Sequence, residues 1–345
     1  MSRKERTPAG PALNTAGEPR SHDAGNETGA SSMLGIDVGG TTIKGLRVSP
    51  IGEIEAEFRV ATPSPDPTGE LVVEAVAGVV DALGGAAGGP VGLVVPGIVD
   101  EVRGVAVWSA NIGFSEVPLR ELASRRLGVP VAFGQDVRAG ALAELRSGAA
   151  QQIDGSVAFV PIGTGIAAAL IVDGRMLVSG GWAGEIGQTL LTSGPHTGLR
   201  IEEVASASAT ARRAGEDDAR AVARRVSTGD PQALAVWAET VAALADAFAA
   251  IVVTIAPTTI VVGGGLARAG ALLLDPLGVE LSRRLGTLRA PSLVVAQHGD
   301  VAAAIGASYL ASDLASDLAS GLAARRRAEA SASVAPKLFG IGQQA

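Results

Sequence analysis

The sequence predicts an α/β protein built of two lobes that close on a central cleft. The chain has 345 residues, more than the roughly 250–300 at which a single hydrophobic core stops growing. Apolar runs typical of strands alternate with segments of helical periodicity along most of the chain. The order strand, turn of glycine and threonine, strand occurs at 34–48 and again at 158–172, which indicates two lobes of common architecture.

The composition fits a globular protein and argues against several classes of partner. Hydrophobic residues make up 47% of the chain and charged residues 18%, as in ordinary globular domains. The net charge of −7 argues against nucleic acid, because phosphate backbones are bound by a concentrated basic surface. The chain has no cysteine, so disulfides and thiolate metal sites are excluded. Its apolar runs are shorter than the about 20 residues of a membrane span, which predicts no membrane partner.

The two ends of the chain differ from its middle. Residues 1–32 combine Pro, Gly, Ser, Thr and charge with almost no apolar periodicity, which predicts a disordered extension, and they lack the layout of a signal peptide. We therefore expect a cytoplasmic protein. Between them and a second disordered tail at 328–345 we predict an N-terminal α/β lobe at 33–137, completed by an Ala/Leu-rich helix at 301–327, and a C-terminal α/β lobe at 138–300.

In the first lobe the apolar pattern predicts strands and helices in alternation. After the opening hairpin come a strand at 53–60, a helix through 71–83, and a fully apolar run at 91–95 that is typical of a buried parallel strand. The segment 108–111 is predicted as a loop, and a helix at 119–127, a strand at 130–133 and a helix at 137–146 follow. Asp136 thus lies where a strand becomes a helix. Helix capping alone would explain a carboxylate there, since the helix dipole stabilises it by roughly 0.3–1 kcal/mol.

The second lobe begins with apolar segments at 157–161 and 166–172 and a hairpin turn at 173–174. A polar loop at 192–200 leads into a helical region reaching about residue 226. A long helix at 231–255, a strand at 259–262, another helix and a last strand at 293–296 complete the lobe.

Glycine-rich turns follow three of the predicted strands. Glycine lets backbone N–H groups approach a phosphate without a Cβ in the way, but turn geometry alone also selects glycine. One such hairpin leaves both interpretations open, whereas two matching loops favour phosphate binding. The turn residues are Gly39, Gly40, Thr41 and Thr42, then Gly163, Thr164 and Gly165, and then Gly263, Gly264 and Gly265.

Taken together, the motifs resemble those of the ROK family (repressors, open reading frames and sugar kinases), within the actin-like ATPase superfamily. The resemblance spans about residues 33–311 and rests on the order of the motifs rather than on one of them. The motifs are Ile36-Asp-Val-Gly-Gly-Thr41, Val95-Pro-Gly97, Ala110-Asn111, Gln135-Asp136 before Ala141-Leu-Ala-Glu144, Gly163-Thr-Gly165, Ala183-Gly-Glu-Ile-Gly187, Ile201-Glu202 and Val262-Gly-Gly-Gly265.

The resemblance implies a two-lobed actin-like ATPase (ribonuclease H-like) fold with mixed sheets and a central cleft. It implies that ATP phosphates are held by the turns at 39–42 and 163–165, and adenosine by the turn at 263–265. A hexose, glucose or a related sugar, would lie deeper in the cleft. The residues implied to hold the sugar are Asn111, Gln135, Asp136, Glu185, Gln188 and Glu202.

Two charged residues receive roles from this resemblance, and a third is singled out by the composition of the chain. Asp136 matches the general base, which takes the proton of the sugar hydroxyl as it attacks the γ-phosphorus. Asp37 matches an acid that acts on Mg²⁺ through water, while an ordinary Asp bonded to the turn is the alternative. Lys44 is the only lysine between residues 5 and 336. It would contact ATP phosphates, or be a solvated strand lysine; the sequence leaves both open.

The chain departs from the family's pattern at the positions that hold zinc and sugar. Gln188 stands where the family has a histidine, and no cysteine follows it, so we expect no zinc site. His196 alone cannot hold a metal tetrahedrally and is interpreted as a surface loop residue, with packing alone holding the region of Glu202. Gln135 replaces the asparagine of the family's Asn-Asp pair. The preferred sugar therefore differs from glucose, or activity is weak.

Two alternatives to an ATP-dependent sugar kinase stay open. One is a non-catalytic or weakly active sugar-binding regulator, although the residues before Met33 are too few and too polar to form the DNA-binding domain of ROK repressors. The other is a glucokinase that uses polyphosphate, because those enzymes share a hairpin like Gly39-Gly-Thr-Thr-Ile-Lys-Gly45 and also lack the cysteines. Family members are commonly dimers or tetramers, so we expect a homo-oligomer.

Overall fold

The computed structural model describes residues 31–333, with side chains for 31–321. Of the segments predicted to be disordered, 1–32 and 328–345, residues 1–30 and 334–345 lie outside the described residues, whereas 328–333 belong to a helix. The first half of the described chain contains β1 (Met33–Val38), β2 (Thr42–Val48), β3 (Ile54–Ala61), α1 (Glu70–Ala82), β4 (Val91–Val95), β5 (Ile98–Asp100), β6 (Val105–Ser109), β7 (Phe114–Val117), α2 (Leu119–Leu127), β8 (Val131–Gln135) and α3 (Asp136–Ser147).

The second half repeats the plan of hairpin, helices and parallel strands. It contains β9 (Val157–Pro161), β10 (Ala169–Val172), β11 (Arg175–Met176), α4 (Ile201–Ala205), α5 (Ala207–Ala214), α6 (Ala219–Ser227), α7 (Pro231–Ile255), β12 (Thr259–Gly263), α8 (Gly264–Ala267), α9 (Ala271–Leu285), β13 (Ser292–Val295) and α10 (Ala302–Ser333).

The first sheet is mixed, as predicted, with the strand order β3-β2-β1-β4-β8. β1, β2 and β3 form an antiparallel meander, while β4 and β8 run parallel to β1. β4 is a continuous buried run of Val, Leu and Gly, because helices or other elements cover both faces of a parallel strand. The carboxyl ends of β1, β4 and β8 meet at one edge, which brings the turn after Val38 close to Gln135 at the end of β8.

The second sheet has the order β11-β10-β9-β12-β13 and the same arrangement of antiparallel and parallel neighbours. Gly263 pairs with Pro161 at the carboxyl ends of β12 and β9. Two of the predicted glycine turns therefore begin at one edge of this sheet. The repeat at 34–48 and 158–172 thus corresponds to the matching hairpins of two similar sheets.

The C-terminal helix α10 packs against the first sheet, and glycines make the close approach possible. A Cβ at Gly35 would lie 2.0 Å from the carbonyl oxygen of Ala304, and one at Gly92 would lie 1.8 Å from that of Ala307. No side chain fits at such distances, so both strands need glycine there. The helix extends to Ser333, past the end predicted at residue 327.

Helix α3 connects the two sheets. On one side the backbone of Ala139 lies against Gly306 of α10, and on the other Gly140 lies against the ring of Phe159 in β9. A Cβ at Gly306 would come within 1.8 Å of the Ala139 carbonyl oxygen. Because Asp136 begins this helix, its position is fixed by packing against both halves of the molecule.

Two sequence predictions about individual segments are wrong. The segment 108–111 is only partly a loop: Trp108 and Ser109 belong to β6, the middle strand of a small sheet of order β5-β6-β7, and the turn begins at Ala110. These strands have only three to five residues, too few for a recognisable alternation. Helix α7 is also long and apolar enough to cross a membrane by composition, with a mean hydropathy of 1.8, contrary to the prediction that no run is long enough. Half of the apolar stretch of α7 is buried inside the protein. The helix belongs to the hydrophobic core of the second half of the chain.

Candidate active site

A cavity of about 500 Å³ lies where the edges of the two sheets face each other. Its wall combines the first two glycine turns, the end of β8 and the segment before α4. Eleven of the residues singled out in the sequence line it, namely Gly40, Thr41, Asn111, Gln135, Asp136, Gly163, Thr164, Gly165, Glu185, Gln188 and Glu202.

The other predicted residues lie around this cavity rather than in its wall. Asp37 is buried at the end of β1, with Gly39 beside it in the turn, and Thr42 and Lys44 belong to β2. Gly263 is buried at the end of β12. Gly264 and Gly265 line a second cavity of about 340 Å³, together with Arg268 and Asp300.

Asp136 is the first residue of α3, and its Oδ1 accepts a hydrogen bond from the backbone N–H of Val137 at 2.8 Å. Burial, and secondly the nearby charge of Asp37, raise the pKa of Asp136 to about 7, against the opposing effects of the Val137 N–H and of Arg138. Oδ2 has no hydrogen-bond partner among the described residues. A carboxylate with this pKa and a free oxygen in a cavity can accept a proton near neutral pH.

The residue that caps α3 is Gln135, not Asp136. Oε1 of Gln135 accepts a hydrogen bond from the backbone N–H of Arg138 at 2.9 Å. Asp136 is the first residue after this cap, where the helix dipole still stabilises its carboxylate. Since the oxygen of the Gln135 amide faces the helix, its Nε2 group is the part left to donate a hydrogen bond to a ligand.

Below these residues lies a buried cation that the sequence did not single out. Arg138 is 6% exposed, and its Nε donates to Oε1 of Glu101 at 2.8 Å. The same carboxylate oxygen accepts the backbone N–H of Gln135 at 3.3 Å. Because the partners are 37 residues apart, no local pattern indicates this pair. Arg138 lowers the pKa of Asp136 and so partly offsets the effect of burial.

Gln188 and Glu202 form one polar group on the opposite wall. Nε2 of Gln188 donates a hydrogen bond to Oε1 of Glu202 at 2.7 Å, and the backbone N–H of Ile166 donates to Oε2 at 3.4 Å. Burial, and secondly the charge of Glu202, raise the pKa of the neighbouring Glu185. The cavity thus has a carboxylate-rich wall that favours hydroxyl groups and cations over anions.

The first glycine turn is closed by a backbone hydrogen bond from the N–H of Gly39 to the carbonyl oxygen of Thr42. Next to it, Lys44 donates to the carbonyl oxygen of Asp300 at 2.6 Å. Its Nζ also lies 3.9 Å from Oδ2 of Asp37 and 3.8 Å from Oδ2 of Asp300. The side chain of Lys44 is only 18% exposed. Of the two interpretations left open by the sequence, a solvated strand lysine is therefore wrong.

Asp37 fits the role of a magnesium-associated acid in charge and position. Burial raises the pKa of Asp37 to about 6, although the Lys44 ammonium opposes this rise. Mg²⁺ usually keeps several waters and takes only one or two protein carboxylates beside substrate phosphates. A single buried carboxylate behind a glycine turn satisfies that requirement. Among the described residues, no cluster of three or more His, Cys, Asp or Glu side chains could hold a metal by itself.

The turn after β12 depends on glycine. Gly264 has a φ of +78°, and a Cβ there would lie 2.4 Å from the carbonyl oxygen of Ile162. Small residues also line the rest of the second cavity, including Ala207, Ala211 and Ala219. The result is an open space beside the phosphate turns, bordered by Asp217, Asp218 and Arg220.

His196 is not a simple surface loop residue. Its Nε2 lies 3.0 Å from Oε2 of Glu239 in α7 and 3.2 Å from the guanidinium of Arg213 in α5. Arg213 also bonds directly to Glu239. The region of Glu202 is therefore held by a polar cluster in addition to packing, contrary to the sequence-based expectation.

Ser109 is a further cavity residue that sequence reasoning missed. It is 2% exposed, and its hydroxyl is the one buried side-chain oxygen or nitrogen in the described part of the chain that has no hydrogen-bond partner. It lies on β6 in the segment predicted as a loop, so no pattern pointed to it.

Comparison with known proteins places this geometry in a family. The model of the ROK family matches residues 33–314. A glucokinase of Halalkalibacterium halodurans is 30% identical over 282 residues, which cover 71% of this chain and 83% of that protein. An inorganic polyphosphate/ATP-glucomannokinase from an Arthrobacter species has a crystal structure with a TM-score of 0.64 and 31% identity, covering 82% of this chain and 99% of that one.

A second crystal structure is that of a ROK family glucokinase from Streptomyces griseus in complex with glucose and AMPPNP. It has a TM-score of 0.72 and 28% identity, and the match covers 83% of this chain and 100% of that one. The predicted two-lobed, actin-like ATPase fold with mixed sheets is confirmed by these neighbours. The chain belongs to the ROK family.

Proposed function

We propose that this protein phosphorylates a hexose hydroxyl with ATP and that Asp136 is the general base. The observation that carries the proposal is the position of Asp136, which lines one cavity together with the first two glycine turns. A phosphoryl acceptor in this cavity would lie between the base and the phosphate turns. That is the arrangement required for in-line attack of a hydroxyl on a γ-phosphate.

The chemistry asked of Asp136 is removal of one proton. Its carboxylate accepts the proton of the attacking hydroxyl, while the oxygen forms a bond to the γ-phosphorus and the bond from that phosphorus to ADP breaks. With a pKa of about 7, Asp136 is a substantially ionised base at neutral pH and a stronger one than an ordinary aspartate. General-base catalysis of this kind contributes about 10²–10⁴-fold to the rate.

The remaining polar residues of the cavity wall would bind the sugar. Asn111 and Nε2 of Gln135 offer donors on one side, and the carboxylates of Glu185 and Glu202 offer acceptors on the other. A hexose presents alternating hydroxyls that both donate and accept, so it can satisfy both walls. Gln188, already bonded to Glu202, would fix that carboxylate in place.

The second cavity supports a nucleotide as the phosphoryl donor. It begins at the turn of Gly264 and Gly265 and is lined by small apolar side chains, as a flat base requires. Its rim carries the carboxylates of Asp217 and Asp218. Carboxylates can accept hydrogen bonds from ribose hydroxyls, whereas they would repel a long polyphosphate chain.

Magnesium would be held near Asp37 and the donor phosphates, where it offsets negative charge on the phosphoryl group. Lys44 is the cation closest to Asp37, so it would share this task or keep Asp37 ionised. The backbone N–H groups of the turns at 39–42 and 163–165 would contact the phosphates.

The proposal is tested by coupled ADP-release assays on glucose, mannose, N-acetylmannosamine, N-acetylglucosamine, fructose and allose, each with ATP and with polyphosphate. Sugar-dependent turnover with ATP is expected. Sugar-dependent turnover with polyphosphate but not with ATP would show that polyphosphate, not ATP, is the phosphoryl donor. Sugar binding by calorimetry without turnover with either donor would instead favour the sugar-binding regulator.

A further inference from the structure

We infer that His196 is a positioning residue for the sugar, acting at a distance through the segment that carries Gln188 and Glu202. The inference rests on the proposed function in one respect, namely that these two side chains contact the sugar. The structural part of it, a polar anchor for this segment, stands on contacts alone.

Residues 189–200 form a hairpin whose two ends meet at the cavity. The two arms are joined by a bridge between Leu190 and Arg200. Backbone hydrogen bonds from Leu191 to Leu199 and from Ile201 to Thr189 continue the pairing. Gln188 precedes the first arm and Glu202 follows the second. Because paired arms move together, a displacement of the tip would shift both of these residues.

His196 lies at the tip of this hairpin and contacts Glu239 in α7 and Arg213 in α5. Its Nε2 is 3.0 Å from Oε2 of Glu239 in α7. A carboxylate only accepts hydrogen bonds, so the bond to Glu239 requires a hydrogen on Nε2 of the ring, and the guanidinium of Arg213 lies 3.2 Å from the same atom. The hydrogen bond from His196 is the main cause of the lowered pKa of Glu239. Glu239 is thus an ionised partner, and charge-assisted hydrogen bonds are stronger than neutral ones.

Arg213 extends this anchor to the helix that begins beside Glu202. One of its terminal nitrogens bonds to Glu239, and the other donates to the carbonyl oxygen of Val204 in α4 at 2.9 Å and to the hydroxyl of Thr240 at 3.3 Å. Its side chain is only 16% exposed. The tip of the hairpin and the end of α4 are therefore attached to the same point on α7, a helix fixed by core packing.

The cluster has no other evident use in the proposed reaction. It lies outside the residues that line either cavity, and local turn formation does not need it, because Thr197 bonds to Gly194 within the tip itself. Its effect is to fix the hairpin relative to α7. Polar side chains that bind hydroxyl groups require such support, since small displacements of a binding group weaken binding markedly.

The test compares His196→Phe, which keeps an aromatic ring but removes the donor, with His196→Gln, which keeps an N–H group. In His196→Phe the KM for the sugar should rise about tenfold, while the KM for ATP stays within about twofold. His196→Gln should recover part of this loss. Thr197→Val removes only the local turn bond and serves as the matched control, with a sugar KM close to that of the wild type.

Hydrogen exchange gives a readout that does not depend on catalysis. In His196→Phe the backbone amides of Leu191, Gly198 and Ile201, which donate hydrogen bonds across the hairpin, should exchange faster than in the wild type and in Thr197→Val. Unchanged exchange, or equal rises in the KM values of sugar and ATP, would overturn the inference. If the wild type turned over no sugar, the proposed function would fail, and exchange would still decide whether His196 anchors the hairpin.

Discussion

Nε2 of Gln188 donates a hydrogen bond to Oε1 of Glu202 at 2.7 Å, and both side chains line the same cavity. Glu202 is the second residue of α4 and follows directly on the hairpin at 189–200, so this bond joins the two ends of that hairpin. The amide thereby holds one carboxylate oxygen of Glu202 in place and leaves the rest of the wall to a ligand. Gln188 thus orients an acceptor in the cavity wall, and under the proposed function it would also contact the sugar.

The first prediction concerns this bond. In Gln188→Ala, Glu202 loses a donor and one constraint on its rotamer, so the sugar KM should rise by about tenfold, the effect of losing one hydrogen bond to a charged group. Gln188→Glu should be worse, because it places a like charge 2.7 Å from the carboxylate oxygen of Glu202. Steady-state kinetics with sugar varied at saturating ATP measure both. Gln151→Ala, at an exposed turn position, is the control, and an unchanged KM in Gln188→Glu would contradict the prediction.

The second prediction concerns Asp136 as the base. In Asp136→Asn the kcat should fall by about 10²–10⁴-fold, whereas sugar affinity should change little, because the amide has nearly the same size and can still accept the Val137 N–H bond. ADP release measures the rate and calorimetry the affinity. Asp173→Asn replaces a carboxylate in the turn between β10 and β11 and should behave as the wild type. A variant at position 136 with wild-type kcat would remove Asp136 from the mechanism.

The third prediction is a pH profile. A base with a pKa of about 7 is active only when ionised, so kcat/KM should rise with pH through a midpoint near that value. Since Asp37 is coupled to Asp136, the midpoint belongs to the pair rather than to one residue.

Two variants separate this ionisation from that of ATP. Arg138 lowers the pKa of Asp136 and Glu185 raises it. Arg138→Gln should therefore move the midpoint to higher pH, and Glu185→Gln should move it to lower pH. An ionisation of the nucleotide would not move in either variant, so two profiles that coincide with the wild type would exclude Asp136 as its source.

The fourth prediction links the same residue to stability. Between pH 3.8, the ordinary pKa of an aspartate, and about 7, the folded protein keeps a proton on Asp136 that the unfolded chain has released. The contribution of Asp136 to the free energy of unfolding is therefore fully present below the lower value and is lost as pH rises through the higher one. Asp136→Asn does not titrate, so it should be more stable than the wild type at about pH 8 by about 1–3 kcal/mol, with little difference at about pH 4.

Denaturant unfolding at both pH values measures this difference. Asp173→Asn should show no such dependence on pH. A difference at position 136 that is constant with pH, or that grows as pH falls, would mean that the pKa of Asp136 is not raised in the folded protein.

The sequence predicted those features of the fold that depend on local pattern. The hairpins at 34–48 and 158–172, the buried strand β4 and the helix at 231–255 follow from apolar runs and turn residues within about 25 residues of chain. Strands β5 to β7 were not predicted, because each is too short for periodicity to appear. The capping role of Gln135 was not predicted either, because N-cap preferences favour Asp over Gln and the helix N-terminus was therefore assigned to the adjacent Asp136.

In the candidate site, the sequence indicated which residues belong together but not how they are held. The cavity residues were found through ordered motifs, and eleven of them line one cavity. The supporting contacts join residues far apart in the chain, such as Arg138 with Glu101, His196 with Glu239 and Lys44 with Asp300, which is 256 positions away. Such pairs depend on tertiary packing, and the local sequence around either partner does not indicate them.

The last prediction concerns Lys44 and the donor side of the cleft. Burial raises the pKa of Asp37 to about 6, and the ammonium of Lys44, 3.9 Å from its Oδ2, is the main effect that opposes this rise. In Lys44→Met the pKa of Asp37 should rise further, so that more of the carboxylate is protonated at neutral pH and unable to associate with magnesium. The apparent affinity for Mg–ATP should therefore fall in the variant at about pH 7 and recover partly at about pH 8.5, where Asp37 ionises again. Lys44→Arg keeps a cation near Asp37 and should show a smaller loss with the same dependence on pH.

Magnesium titrations of the initial rate at both pH values measure the effect. A loss in Lys44→Met that is equal at the two pH values would show that Lys44 contacts the phosphates directly rather than acting through Asp37.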